Sequence, residues 1–111
     1  MARISSWHRV TPYGDEEALK RAFNKYGPIA VAIHVNDKFQ RYKEGIFDEY
    51  CEGSRNHAVL LVGYGYDRHY DKDYWIIKNQ WGTSWGESGY MRMRRNNNNM
   101  CDIARDAVWV E

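Results

Sequence analysis

Apolar side chains recur at helical spacing in the segment that follows Asp15. These apolar positions are Ala18, Leu19, Ala22, Phe23 and Tyr26. Residues three and four positions apart lie on one face of a helix, so this pattern predicts an amphipathic helix. Asp15 can cap its first turn, and Gly27 and Pro28 can end it.

Strand-like patterns follow the helix. The predicted strands are Ile29–Val35, His57–Gly65, Tyr74–Lys78, Tyr90–Arg94 and Ile103–Val110. Residues 1–14 are expected to be extended, Asn36–Lys43 to form a short helix before a turn at Glu44–Gly45, and residues 66–73 to turn the chain. One amphipathic helix followed by antiparallel strands predicts an α+β fold with a barrel-like sheet.

Length and charge narrow the possible functions. The chain has 111 residues, contains no internal repeat or linker, and is expected to form a single domain, 1–111. Its 16 basic and 15 acidic residues leave a net charge of +1, so neither nucleic acid nor an anionic membrane is an expected partner. The basic residues Arg92, Arg94 and Arg95 are interpreted as a solvated strand face.

His57 and Asn79 are the first candidates for chemistry. The strands beginning at His57 and ending near Asn79 are expected to run antiparallel, which brings the start of one beside the end of the other. An asparagine carboxamide could then hold one imidazole nitrogen and leave the other for proton transfer. Taken singly, His57 could be an exposed strand-end residue and Asn79 a turn residue.

Trp81 follows Asn79 closely and could shield a hydrogen bond between histidine and asparagine from water. The alternative is that Trp81 and Trp85 are core aromatics of a glycine-rich loop. Cys51 and Cys101 have no spacing typical of a zinc site. From the residues alone they are either one disulfide or two separate buried thiols, and no metal site or cofactor is expected.

Two longer motifs surround these candidates. The strings Asn56–Gly65 and Tyr74–Gly86 resemble the histidine and asparagine motifs of papain-family cysteine proteases, in particular cathepsin L-like members. The similarity continues through Gly27–Ile33, Tyr42–Phe47, Gly89–Tyr90 and Asn99–Cys101. It covers nearly the whole chain from about residue 4, in order.

The resemblance implies one half of a two-domain cysteine endopeptidase, the barrel-like domain. By carry-over, His57 is the catalytic histidine, Asn79 orients it, and Trp81 shields their hydrogen bond. The family's nucleophile motif, Cys-Gly-Ser/Ala-Cys-Trp/Tyr, does not occur in these residues. The chain alone is therefore expected to be inactive, because His and Asn cannot replace a thiolate and its oxyanion donors.

Specificity and support residues also follow from the resemblance. Gln80 stands where serine is common in the family, and we expect it to alter hydrogen bonding beside Asn79. Asp106 falls at the base of the main specificity pocket, with Ala32 and Ala58 as its walls. A carboxylate there would favour Arg or Lys in the substrate; the alternative is a solvent-facing Asp106 paired with Arg105.

The resemblance further implies a disulfide between Cys51 and Cys101 and a lysosomal or extracellular location. Expected partners are a cysteine-bearing light chain or N-terminal domain, protein or peptide substrates, a propeptide and cystatin-type inhibitors. Two alternatives remain open at this point, a non-catalytic papain-like scaffold module and an isolated half-domain.

Overall fold

One long helix packs on a seven-stranded sheet in the computed structural model of the protein. The structure describes residues 7–11, 14–49, 51, 57–96, 101, 103–105 and 107–110. In chain order the elements are β1 (Trp7–Arg9), α1 (Glu16–Tyr26), β2 (Ile29–Ile33), α2 (Asp37–Gln40), β3 (Ile46–Phe47), β4 (His57–Asp67), β5 (Lys72–Lys78), β6 (Tyr90–Arg94) and β7 (Val108–Val110).

Helix α1 begins and ends where the sequence predicts. The Asp15 carboxylate accepts hydrogen bonds from the backbone N–H groups of Glu17 at 2.9 Å and Ala18 at 3.3 Å. These bonds satisfy two of the amide groups that a helix start leaves unpaired. Gly27 ends the helix with a φ of 84°, a left-handed conformation that glycine adopts without strain.

The sheet order is β1-β7-β2-β4-β5-β6-β3, with the longest strand, β4, near its centre. Strand β4 pairs antiparallel with β2, so that His57 lies opposite Ile33. It also pairs antiparallel with β5, where Leu60 lies opposite Lys78. The start of β4 and the end of β5 therefore share one end of the sheet, as the hairpin prediction requires.

The α+β class and the main helix are confirmed, but the sheet differs from the expected antiparallel barrel. It is mixed, because Ile46 and Phe47 pair in parallel with Arg92 and Met93. It is also open, since the terminal strands β1 and β3 do not pair with each other among the described residues. The edge strands β1 and β3 have only three and two residues, which is too short to close a barrel.

Several strand boundaries differ from the predicted ones. Strand β2 ends at Ile33 and not at Val35. Half of the polar stretch 66–73 is strand, since Tyr66 pairs with Asp73 and only residues 68–71 turn. Polar side chains are compatible with a strand whose outer face meets water. At the other end, the predicted strand Ile103–Val110 is reduced to Val108–Val110, because Ile103 and Ala104 are buried in a turn. A short apolar run does not by itself distinguish a strand from a buried turn.

The core lies on the inner face of the sheet, which α1 covers in part, and it also includes Phe39 of α2. Its largest fully buried side chains are Trp75, Phe39, Leu19, Ile29, Ile33, Leu61, Ile77, Met91, Met93, Ile103 and Val31. Neither described helix has the length and apolar character needed to cross a lipid bilayer.

Candidate active site

His57 and Asn79 meet at the end of the sheet shared by β4 and β5. The His57 Nε2 atom lies 2.7 Å from the Asn79 Oδ1 atom, although the two residues are 22 positions apart in the chain. His57 is half-buried at the first position of β4, whereas Asn79 is 3% exposed directly after β5. The antiparallel hairpin that carries both residues is therefore what sets their separation.

A second hydrogen bond to Asn79 shows which atom of the His57–Asn79 contact carries the proton. The backbone N–H of Gln80 donates to Asn79 Oδ1 at 2.8 Å, so this atom is the carboxamide oxygen and acts as an acceptor. The His57 Nε2 atom must then be the donor in its own bond to that oxygen. In the neutral ring, this arrangement leaves the Nδ1 lone pair available to a proton donor.

The loop after β5 holds the Asn79 backbone in place. The Asn79 N–H donates to the Gly89 carbonyl at 3.0 Å, and the Gly89 N–H donates to the Trp85 carbonyl at 2.8 Å. Gly89 has a φ of 92°, and a Cβ there would lie 3.3 Å from the Gly82 carbonyl oxygen. Both the left-handed conformation and the close approach favour glycine at this position.

Trp81 stacks on the imidazole of His57. Its ring centroid lies 4.9 Å from that of His57, with 27° between the ring planes. Trp81 is 38% exposed, so one side of the indole contacts the imidazole while part of the ring meets solvent. Trp85 is buried beneath it, with ring centroids 5.4 Å apart at 85°. Of the two tryptophans, only Trp85 fits the core alternative.

Phe39 is a site residue that the sequence reasoning missed. Its fully buried ring lies edge-on to Trp81, with centroids 5.6 Å apart at 90°, and 6.5 Å from His57. It sits on α2, whose start is capped by the Asn36 side chain accepting from the Phe39 N–H at 2.9 Å. The signal in the sequence was a lone aromatic within a polar run, three positions after a good capping residue.

The expected specificity residues are described only in part. Ala32 and Ala58 lie directly opposite each other on β2 and β4, adjacent to the pair formed by Ile33 and His57. Asp106, the expected base of the pocket, lies outside the described residues. Gln80 is exposed, and its described contribution is the backbone N–H donated to Asn79.

Cys51 and Cys101 form a disulfide, with Cα atoms 4.7 Å apart. A covalent link across 50 residues restricts the unfolded chain and is worth about 4 kcal/mol on a chain-entropy estimate. The backbone N–H of His34, directly after β2, donates to the Cys101 carbonyl at 3.1 Å. The disulfide is thus tied to the same end of the sheet as His57.

The described residues contain no cluster of three or more His, Cys, Asp or Glu side chains that could hold a metal ion. What the arrangement provides is an oriented, partly covered imidazole with one free nitrogen. Such a group can accept a proton from a neighbouring donor and return it.

Comparison with family models matches residues 1–110 to the papain family cysteine protease model. A cathepsin L-like protein of Caenorhabditis elegans is 52% identical over 102 residues, which cover 89% of this chain and 30% of that protein. Cathepsin S of Mus musculus is 50% identical over 102 residues, covering 90% of this chain and 29% of that protein. The chain thus spans about 30% of the length of these relatives.

Solved structures show the same similarity in three dimensions. Digestive procathepsin L 3 of the Tenebrio molitor larval midgut superposes with a TM-score of 0.90 at 46% identity, over 98% of this chain and 36% of that chain. The bromelain protease of Ananas comosus, solved in complex with the E64 inhibitor, gives 0.91 at 44% identity, over 98% of this chain and 51% of that chain.

Proposed function

Because this chain belongs to the papain family of cysteine proteases, we propose that it is the half of a papain-like cysteine endopeptidase that supplies the catalytic histidine and asparagine. The observation that carries the proposal is the 2.7 Å contact between His57 Nε2 and Asn79 Oδ1. On this proposal, residues 1–111 form a single domain and a cysteine-bearing domain completes the enzyme.

The chemistry follows from the free nitrogen of His57. Its Nδ1 atom takes the proton of an incoming cysteine thiol, giving a thiolate beside an imidazolium. The thiolate attacks the substrate carbonyl carbon, and the imidazolium then returns the proton to the leaving amine as the C–N bond breaks. Water, deprotonated by the same imidazole, hydrolyses the resulting thioester. Asn79 holds the ring throughout, and Trp81 limits the access of water to their hydrogen bond.

The nucleophile comes from outside these residues on this proposal. The chain has two cysteines, and both are in the disulfide, which leaves no thiol for attack. We therefore propose that the isolated chain hydrolyses no peptide bonds. Its necessary partner is a cysteine-bearing light chain or N-terminal domain that also supplies the oxyanion donors.

Substrate preference is proposed to depend on Asp106, with Ala32 and Ala58 as pocket walls. A carboxylate at the pocket base would pair with a basic side chain at the second position before the scissile bond. In the complete enzyme, Asp106→Ala should remove a preference for Arg over Leu at that position. An Arg-to-Leu ratio of kcat/KM that is unchanged in the variant would reject this assignment.

Further partners and the location are proposed from the family. A propeptide is supported by the likeness to a digestive procathepsin, and cystatin-type inhibitors are proposed to bind beside His57. The disulfide is consistent with an oxidising compartment, and we propose a lysosomal or extracellular location.

The experiment compares His57→Ala with His69→Ala in the full-length protein. His69 is an exposed histidine in the turn between β4 and β5, so it is a matched control for the loss of an imidazole. We expect His57→Ala to lower kcat/KM on a fluorogenic peptide by at least about 10³-fold, and His69→Ala to leave it unchanged. A wild-type protein that neither hydrolyses peptides nor reacts with a thiol-directed epoxide would instead indicate a non-catalytic scaffold.

A further inference from the structure

A pocket of about 390 Å³ lies between β1, α1 and β7, away from His57. Its small apolar side chains come from Val10, Ala18 and Ala22, which are buried. Three aromatic or imidazole rings and three basic side chains also line the pocket. None of these residues takes part in the proposed chemistry, so the pocket is a separate feature of the fold.

The aromatic side of the pocket is a stack of three rings. Trp109 lies between the other two, with its ring centroid 4.2 Å from that of His8 and 3.6 Å from that of Tyr26. The interplanar angles are 19° and 4°, so the rings are close to parallel. Since this stack joins β1 and β7 to the end of α1, it gives the pocket a preformed wall.

The charged side chains described in the pocket are all basic. Arg9, Arg21 and Lys25 line it, and no Asp or Glu does so among the residues that the structure describes. Arg21 and Lys25 are exposed and four positions apart on α1, so their side chains lie on one helix face about 5–6 Å apart at Cβ. The Lys25 ammonium lies 5.2 Å from the centroid of the Tyr26 ring, at the aromatic wall.

We propose that this pocket binds an acidic segment of a protein substrate, an inference that rests on the proposed peptidase function. Alternate side chains of an extended peptide point to the same side about 6.5–7 Å apart. Two carboxylates at positions i and i+2 therefore approximate the spacing of Arg21 and Lys25. The apolar side chains and rings of the pocket can receive an uncharged side chain of the same segment.

The position of the pocket sets which substrates could use it. Ala30 of β2 pairs with Val108, and the pocket lies beyond Val108 at Trp109, toward the Ile29 end of β2. His57 lies opposite Ile33, at the other end of that strand. Four residues of strand correspond to about 13 Å. The acidic segment would thus lie several residues from the scissile bond and would affect substrate binding rather than the chemical step.

The test measures binding of a fluorescein-labelled peptide with alternating Glu and Ala to the full-length protein, by fluorescence anisotropy. A peptide with Gln in place of Glu is the uncharged comparison. The double variant Arg21→Gln/Lys25→Gln keeps residues of good helix propensity in α1. The control Lys43→Gln/Arg68→Gln removes the same charge from exposed positions outside the pocket.

We expect the pocket variant to bind the Glu peptide about tenfold more weakly, as two surface-strength ion pairs are lost, and the control to bind it as the wild type does. Equal weakening in both double variants, or equal binding of the Glu and Gln peptides, would overturn the proposal. A sulfated oligosaccharide that binds more tightly through Arg21 and Lys25 would overturn the assignment to a peptide.

Hydrolysis assays distinguish a failure of the acidic-segment proposal from a failure of the proposed peptidase function. A short fluorogenic peptide without acidic residues should be cleaved equally by the wild type and the pocket variant. The same peptide extended by the alternating Glu segment should show a higher KM in the variant, with kcat unchanged. Absence of hydrolysis in the wild type would reject the peptidase function, while the binding result would still decide whether the pocket takes acidic peptides.

Discussion

At the start of β4, His57 is held by a neutral carboxamide and an indole ring, whereas on the β3–β6 side of the sheet polar groups are held by opposite charges. Asp48, directly after β3, accepts from Lys72 at 2.8 Å and from Arg94 at 3.0 Å. Glu87 accepts two hydrogen bonds from Arg92, each of 2.9 Å. The first region presents a free nitrogen, and in the second the donors and acceptors satisfy one another.

The charged region corrects one interpretation of the sequence. Arg95 is not part of a solvated strand face, because it is only 7% exposed. Arg92 and Arg94 are partly exposed, as predicted, and are paired with Glu87 and Asp48. The Arg95 guanidinium lies 4.8 Å from the centroid of the Tyr64 ring and 3.4 Å from an Asp73 oxygen. Ring contact and charge pairing together compensate for its burial.

The pKa shifts in the charged region have identifiable causes. Arg92 lowers the pKa of Glu87 through its hydrogen bonds. Burial would raise the pKa of Asp48, but Lys72 and Arg94 outweigh it and the pKa lies below its usual range. Burial raises the pKa of Tyr42 to about 12. Perturbed groups can mark a functional site, but here they mark the attachment of the two-residue strand β3.

The comparison therefore separates two effects. Changes around His57 should reduce activity more than stability, and changes around β3 should reduce stability more than activity. Phe39 joins the regions, because its ring contacts Phe47 of β3 at 5.9 Å and Trp81 at 5.6 Å between centroids.

Replacing Phe39 should have the largest effect on stability. Phe39→Ala removes a fully buried ring, and we expect the free energy of unfolding to fall by about 3–5 kcal/mol. Urea denaturation of the chain followed by circular dichroism measures this. Phe39→Leu should lose less, since it fills more of the space. A loss below about 1 kcal/mol for Phe39→Ala would show that the ring does not connect the two regions.

Replacing Trp81 should mainly reduce activity. In the full-length protein, Trp81→Ala exposes the His57–Asn79 hydrogen bond to water, and we expect kcat to fall about 30-fold, within the range of general acid–base effects. Trp81→Phe should restore most of the activity. If kcat were unchanged in Trp81→Ala, the covering role would be wrong.

Replacing Glu87 should mainly reduce stability. Glu87→Gln removes the charge that pairs with Arg92 and weakens the acceptor for the Gly45 N–H, so the free energy of unfolding should fall by about 1–2 kcal/mol. The control Glu44→Gln, at an exposed position, should change it by less than about 0.5 kcal/mol. Both are measured by urea denaturation. Equal effects of the two variants would contradict the stabilising role of this ion pair.

The smallest expected effect is a pH dependence of stability. The folded-state pKa values of Asp48 and Glu87 are lowered. Their contribution is therefore fully present above the unfolded-state pKa values of about 4, and it is lost as the pH falls through the lower folded-state values. Asp48→Asn should reduce the loss of unfolding free energy at acidic pH by less than about 1 kcal/mol, because the ion pairs are partly exposed. The unfolding free energy is measured by urea denaturation between pH 6 and 3. The same pH dependence in the wild type and in Asp48→Asn would reject the assignment to Asp48.

The sequence predicted the features that depend on residues close together in the chain or on strands joined by one turn. Asp15 and Gly27 bound α1 through contacts within a few residues, and the His57–Asn79 contact follows from one hairpin. In both cases the pairing partner is fixed by short-range chain geometry.

What the sequence did not predict depends on distant partners. Strand β3 has two residues, too few for any periodicity, and its parallel partner Arg92 lies far along the chain. The role of Phe39 likewise depends on Trp81 and Trp85 folding over it. Arg95 was misread because its charge suggests exposure, while the rings and the carboxylate that compensate for its burial come from β4 and β5.

The protonation state of the His57 ring tests the role of Asn79 most directly. Long-range ¹H–¹⁵N NMR of the ¹⁵N-labelled chain, at a pH where the ring is neutral, distinguishes a protonated Nε2 from a protonated Nδ1. We expect the Nε2–H form alone in the wild type and a mixture of both forms in Asn79→Ala. A Nδ1–H form in the wild type, or the same mixture in both proteins, would contradict a histidine oriented by Asn79.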